Sequence, residues 1–290
     1  MTKVFLVTGS SRGLGRQIAE KVLAAGHSLV ATARRPEQLA ELAERHGERV
    51  RTVALDVTDP AAARAAVDAA VAAFGRLDVV VNNAGYANSG SVEDTPADDF
   101  RAQVEANLFG VVNVTRAALP VLREQGAGNI IQVSSVGGRV TTPGLSAYQA
   151  AKFAVGGFSE VLAKEVAPLG IRVTVLEPGG MRTDWAGSSM AVHPVSPAYE
   201  RTVGAVNALR AKLMARAAGD PAKVADVVLA VADLDEPPVR LLLGSDAVRF
   251  AGQVEAARAE SDARWRELSV STDYDDLTEE NIDPLATLRG

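Results

Sequence analysis

The run Val4-Phe5-Leu6-Val7-Thr8-Gly9-Ser10-Ser11-Arg12-Gly13-Leu14-Gly15 passes from four apolar residues into a glycine-rich loop, and helical spacing over Gly15–Ala25 follows. Val4–Val7 has the length and composition of a buried strand. The glycines allow a tight turn and a close backbone approach to a bound group, while a helix N-terminus offers free N–H groups and a positive dipole to an anion. A glycine-rich turn alone says little, because turns are rich in glycine. Placed after a first strand and before a helix, it predicts a dinucleotide site.

The same alternation continues outward. Leu29–Ala33, Val50–Leu55, Val79–Val81, Asn129–Val133, Arg172–Leu176 and Arg240–Leu243 are short apolar runs bounded by Gly, Asp, Pro or Asn. They read as buried parallel strands. Pro60–Phe74, Asp98–Gln125 and Ala147–Val166 have helical spacing, and Asp220-Pro221 reads as an N-cap with Pro at the first helical position. The expected fold is α/β: a doubly wound, Rossmann-type parallel sheet of about seven strands with helices on both faces. Two stretches break the rhythm, an insert at 184–219 and an acidic tail at 251–290. No repeat or linker divides the rest, so 1–250 is expected to form one domain.

Bulk properties exclude several functions. A net charge of −6 argues against nucleic-acid binding, although it allows a local basic pocket for one phosphate. The absence of cysteine removes disulfides, thiolate metal sites and a cysteine nucleophile. His27, His46 and His193 form no ligand-spaced set, so no metal site is expected. No apolar run approaches the ~18 residues of a membrane span. Lys3 and the run Val4–Val7 are too short for a signal peptide, which leads to the expectation of a mature N-terminus and a cytoplasmic protein.

Tyr148-Gln149-Ala150-Ala151-Lys152 lies on a predicted helix, where positions i and i+4 share a face and both side chains can enter one cleft. Ser135 stands thirteen residues before Tyr148, just past a predicted strand, and Asn107 lies in the preceding helix. Ketone reduction needs a proton for the developing alkoxide, and the reverse reaction needs a base. A free tyrosine titrates near ~10, too high for an efficient base at neutral pH, and a nearby ammonium would favour the phenolate. A serine hydroxyl can hold the substrate oxygen and stabilise charge there. Singly, each residue has an ordinary alternative: Asn107 as a polar kink, Ser134-Ser135 as a strand-end turn, and the Tyr/Lys pair as chance helix spacing.

Taken together, the TGxxxGxG loop of Thr8–Gly15, Asn82-Asn83-Ala84-Gly85, the set Asn107, Ser135, Tyr148 and Lys152, and Pro178-Gly179-Gly180-Met181-Arg182-Thr183 resemble the short-chain dehydrogenase/reductase family, over roughly residues 3–250. The resemblance implies hydride transfer between a nicotinamide and a carbonyl or alcohol, with Tyr148 as general acid/base and Asn107, Ser135 and Lys152 beside it. It implies a cofactor lined by Gly9, Ser11, Arg12, Gly13, Leu14 and Gly15. Asp56 and Val57 would meet the adenine, and Asn83, Ala84 and Gly85 the adenosine ribose, with Asn82 structural. Tyr148 and Lys152 would face the nicotinamide ribose, and Pro178, Gly179, Met181 and Thr183 would cover the nicotinamide. Gly180 departs from the family, which usually carries a larger residue after Pro-Gly.

The second strand ends Ala33-Arg34-Arg35, with Ala33 where an NAD enzyme places an acid. Arg34 and Arg12 match family positions associated with NADP(H), and two guanidiniums suit a 2′-phosphate. NADP(H) is therefore the expected cofactor, Arg35 adding to the same edge; the alternative is that Arg34 and Arg35 are solvated loop charges.

In the family, 184–219 is a lid. Its Trp185, Met190, His193, Tyr199 and Met214 suggest a lipophilic carbonyl or alcohol substrate, or equally packing against the protein's own core. Ser135, Tyr86, Trp185 and Met190 are the expected substrate contacts, with His193 in a packing role. The tail, with Trp265 and Tyr274, could pack over the domain, reach a neighbouring subunit or be partly disordered; its large aromatics favour packing of at least its first half. The resemblance also implies a homodimer or homotetramer paired through the helices carrying Asn107 and Tyr148. Two further readings remain at this point: a catalytically silent NADP-binding scaffold or redox sensor, and an epimerase or dehydratase on the same fold.

Overall fold

The computed structural model describes residues 2–182, 190–214, 216–277 and 279–283. Seven strands, all parallel, form one sheet in the order β3-β2-β1-β4-β5-β6-β7. They are β1 (Val4–Val7), β2 (Ser28–Ala33), β3 (Val50–Ala54), β4 (Val79–Asn82), β5 (Gly128–Val133), β6 (Ile171–Pro178) and β7 (Arg240–Leu243). The reversal of order between β1 and β4 opens a crevice at their C-terminal ends, where ligands of doubly wound sheets bind.

The apolar runs are continuous because both faces of the sheet are covered. In β1, Phe5 and Val7 enter one core layer, and Val4 and Leu6 enter the other. The first layer is closed by α1 (Gly13–Ala24), through Leu14, Ile18 and Val22, and by the late helix Pro221–Asp233. The second is closed by Ala66, Val67 and Ala70 of a helix spanning Pro60–Phe74, with Val114, Ala118 and Leu122 of Gly110–Gln125 and Leu162 of Ser146–Val166. In chain order these helices are α2 (Ala40–His46), α3 (Pro60–Phe74), α4 (Ala97–Val104), α5 (Gly110–Gln125), α6 (Ser146–Val166), α7 (Ala205–Met214), α8 (Pro221–Asp233) and α9 (Ser245–Arg264). Asp59 and Asp220 cap α3 and α8 by accepting from Ala61 N and Ala222 N, each with Pro in the first turn.

The expected single helix Asp98–Gln125 is broken. A π-turn, Glu105–Phe109, separates α4 from α5. Asn107 Nδ2 donates to Gln103 O (2.8 Å), the carbonyl its own backbone N–H would take in an α-helix, and to Tyr86 O (2.7 Å). The side chain thus replaces a helical bond with a link to the loop after β4.

The chain falls into two units, Met1–Phe250 and Ala251–Gly290. In the second, Arg264 places its guanidinium 5.7 Å from the Trp265 ring centroid. Among the described residues no helix is long and apolar enough to cross a membrane.

Candidate active site

Three elements bring the expected catalytic residues together. Ser135 follows β5 and caps the short turn Val136–Gly138, accepting from Gly137 N at 3.0 Å. Tyr148 and Lys152 sit one turn apart on α6, both buried. The Ser135 and Tyr148 side chains are hydrogen-bonded to each other. Lys152 Nζ donates to Val133 O (2.9 Å) and lies 5.6 Å from the Tyr148 ring centroid. Asn107 is fully buried, and its Oδ1 has no hydrogen-bond partner among the described residues. A Cβ on Gly85 would stand 2.5 Å from that oxygen and 3.7 Å from Lys152 Nζ, so only glycine lets the chain pass there.

Burial, not the neighbouring lysine, dominates the electrostatics. It pushes the Tyr148 phenol up to about 12 against a smaller lowering by the bond to Ser135, and it pulls Lys152 down to about 8. The expected depression of Tyr148 by Lys152 is thus reversed: both groups favour their neutral forms when taken out of water.

The glycine loop forms the other half of the crevice. Gly9 has φ +68°, and a Cβ on Gly15 would lie 2.2 Å from Gly9 O. Thr8 Oγ1 accepts from Asn83 N and Ala84 N (both 2.9 Å), while Asn83 Nδ2 donates to Thr8 O (2.9 Å) and Gly9 O (3.3 Å). The Asn83 side chain therefore braces the loop and leaves only its backbone and its neighbours Ala84 and Gly85 to line the crevice. Asn82 donates to Thr115 Oγ1 (3.1 Å) and Gln132 Oε1 (2.9 Å) inside the core. The N-terminus of α1 carries no side-chain cap and no acid in its first turn. Ser11, Gly13 and Leu14 are at this end, with their N–H groups available to an anion. Arg12, Arg34 and Arg35 are exposed around it and form no salt bridge with a described residue, while Arg34 lies near enough to Asp56 to favour its carboxylate. Asp56 is held below the usual carboxylate range by hydrogen bonds from Thr58 N and Oγ1, and Val57 is buried. The residues present fit a dinucleotide: uncapped N–H groups, a loop that excludes side chains, and free cations at one edge.

On the substrate side, Met190 packs with Ala87, Leu145 and Tyr148. Tyr86 is half-buried, and its carbonyl holds Asn107. Pro178 is buried at the end of β6, and Met181 packs against the core below α8 while bridging to Gly219. Thr183 and Trp185 lie outside the described residues, as does the side chain of Met214. The segment from Met190 onward is strapped to residues 88–99. Val192 bridges to Ser89, His193 Nε2 meets Asp99 Oδ2 at 2.8 Å, Ser196 N donates to Asp94 Oδ2 (3.1 Å), and Tyr199 OH donates to Glu93 Oε2 (2.8 Å). His193 and Tyr199 are thus fastenings.

Comparison with known proteins agrees with this geometry. Residues 3–192 match the family model for short chain dehydrogenase. The chain belongs to the short-chain dehydrogenase family. It is 58% identical to the oxidoreductase BOA17 of Botryotinia fuckeliana, over 94% of this chain and all of that protein. A short-chain dehydrogenase structure from Streptomyces avermitilis superposes with a TM-score of 0.87 at 40% identity, over 94% of this chain and all of that one. The 3-ketoacyl-(acyl-carrier-protein) reductase of Brucella melitensis, solved with NADH, gives a TM-score of 0.67 at 25% identity, over 83% of this chain and 95% of that one. As a short-chain dehydrogenase the chain is an oxidoreductase that uses a nicotinamide cofactor.

Two residues that position these loops, Asp246 and Glu177, lie outside the set expected from the sequence. Asp246 Oδ2 accepts from Gly180 N (2.8 Å), and a Cβ on Gly179 would lie 2.3 Å from the same carboxylate. The Pro-Gly-Gly turn is thus moulded on Asp246, the reason glycine occupies 179. Glu177, fully buried, accepts from Arg139 Nε (2.7 Å) and Arg240 Nε (3.0 Å). Gly156 on α6 leaves room for the Arg240 guanidinium, 3.1 Å from where its Cβ would be. An acid at the end of an apolar strand was the available signal, since a buried carboxylate demands a partner.

Proposed function

We propose that this short-chain dehydrogenase transfers hydride between NADP(H) and a lipophilic carbonyl or alcohol, with Tyr148 as general acid/base. The observation that carries the reading is the buried Tyr148 hydroxyl bonded to Ser135, at the mouth of the crevice whose far end is an uncapped helix N-terminus flanked by Arg12 and Arg34. When bound, the nicotinamide supplies or accepts the hydride. Ser135 orients the substrate oxygen and stabilises its growing charge. Tyr148, protonated at neutral pH, gives its proton to the alkoxide in reduction and takes it back in oxidation. Lys152 spends one N–H on Val133 O and keeps two for the cofactor ribose and the proton path. Asn107 Oδ1, unpartnered and adjacent to Gly85, is the acceptor that would hold a water feeding that path. The apolar group of Ala87, Leu145 and Met190 around Tyr148 supports a lipophilic substrate body. We further propose self-association through α5 and α6, where Val161 and Leu169, just beyond α6, remain exposed.

The cofactor preference rests on Arg34 following Ala33 without a carboxylate. Arg34→Asp is expected to weaken NADPH binding about a hundredfold and to leave NADH binding within severalfold, because one charge-assisted pair is exchanged for a repulsion. Fluorescence titration with both cofactors measures this. Equal losses for the two would mean that Arg34 does not read the 2′-phosphate.

A further inference from the structure

Helix α7 turns one face toward the active site. Val203, just before the helix, is buried against the Gly144 turn, where a Cβ would stand 3.0 Å from Val203 Cγ1 and Ser89 Oγ. One turn on, Asn207 Oδ1 accepts from Ser89 Oγ (2.7 Å), yet Asn207 Nδ2 is buried without a partner. One turn further, Arg210 Nη1 contacts Met190 Sδ at 3.5 Å, and Arg210 Nη2 is also buried without a partner. Met190 packs against the cluster of Ala87, Leu145 and Tyr148. Among the described residues no carboxylate is paired with Arg210. The acids that fasten the preceding segment are engaged elsewhere, Asp94 with Ser91 and Ser196, Asp99 with Asn88 and His193, and Glu93 with Tyr199.

A half-buried guanidinium whose Nη2 is sealed from solvent without a partner is costly, and a thioether is a poor acceptor for it. Two orphaned N–H donors at i and i+3, one carrying full charge, match a two-oxygen anion. We propose that Arg210 and Asn207 bind a carboxylate on the substrate, making it an oxo acid (or the corresponding hydroxy acid) whose apolar stretch lies along Met190, Leu145 and Ala87 and whose carbonyl reaches Ser135 and Tyr148. The placement of the carbonyl rests on the hydride-transfer reading above, whereas the anion site does not. Nothing in the sequence marks Arg210 out from the other arginines of the insert; its sealed, unpartnered Nη2 does.

The test titrates wild type, Arg210→Met, Arg210→Lys and Asn207→Ala, each saturated with its nicotinamide cofactor, with straight-chain carboxylates from butanoate to decanoate and with their methyl esters, by calorimetry. At the best chain length the acid should bind wild type well above its ester. Arg210→Met should lose about a hundredfold of acid affinity with little change for the ester, and Arg210→Lys should restore part of it. Equal binding of acid and ester by wild type, no binding of either, or an acid preference that survives both Arg210→Met and Arg210→Lys, overturns the proposal. Turnover of the matching ω-oxo acids and their esters separates the two readings. Ester and acid reduced alike removes the anion site and keeps the reductase. Acid-selective, Arg210-dependent binding with no reduction of any carbonyl keeps the anion site and removes the reductase.

Discussion

Tyr148→Phe is expected to lower kcat by about ten-thousandfold while cofactor affinity stays nearly unchanged. The substitution removes only the hydroxyl, the one group bonded to Ser135 that can hand a proton to an alkoxide, and general acid/base catalysis accounts for losses of about 10² to 10⁴. The ring remains to pack with Ala87, Leu145 and Met190, so the pocket should keep its shape. Stopped-flow or steady-state reduction with a ω-oxo acid, beside cofactor titration, separates the two quantities. Retention of more than about a tenth of kcat would mean that the proton comes from another group. The pH profile of the wild type carries a second signature. Burial holds Tyr148 at about 12, so it stays protonated through the neutral range and imposes no alkaline limb on reduction there. Burial holds Lys152 near about 8, so its ammonium is lost as pH rises through that value, and reduction should fall there. Oxidation, which needs the phenolate, should instead climb with pH. Because the two groups are neighbours, the limb belongs to the pair.

Most of this site was legible because its parts are set by local rules. The strands read as apolar runs since a doubly covered parallel sheet buries both faces, and α3 and α8 announced themselves by Asp-Pro. Tyr148 and Lys152 share a face by helix geometry alone. What could not be read depends on partners distant in sequence. The π-turn at Asn107 exists because the Tyr86 carbonyl, twenty-one residues earlier, accepts a hydrogen bond from its side-chain amide. Asp246 meets Gly180 across sixty-six residues and Arg240 meets Glu177 across sixty-three. No window of helical or strand periodicity contains such pairs. The same holds for Arg210: its neighbours in sequence are those of a solvated helix, and only the fold puts its guanidinium against Met190. Tyr199 likewise fastens the segment through its hydroxyl on Glu93, more than a hundred residues earlier in the chain.

Glu177→Gln should be the most destabilising conservative change in the domain. The carboxylate is fully buried between two guanidiniums, and Arg240 approaches it with both Nε and Nη2. Removing the charge takes the fully buried counter-charge away from Arg139 and Arg240, and breaking a buried pair in this way costs about 3–5 kcal/mol. For a domain of this size that corresponds to a fall in Tm of about 10 °C. Glu160 is the internal control. It holds the outer nitrogen of the same Arg240 at 2.8 Å but is half exposed, so Glu160→Gln should cost below about 1 kcal/mol. Calorimetric or urea unfolding of the two variants decides the matter: equal small losses would show that the inner pair contributes no more than a surface one. The effect should also reach the chemistry. Arg240 Nη2 donates to Gly138 O (3.4 Å), and Gly138 N donates to Ser135 O (2.9 Å), so the residue that orients the substrate oxygen is tied through one turn to the same carboxylate. Glu177→Gln protein that remains folded at low temperature should therefore show a reduced kcat with cofactor affinity preserved, because the loosened part is the Ser135 turn while the glycine loop across the crevice is untouched.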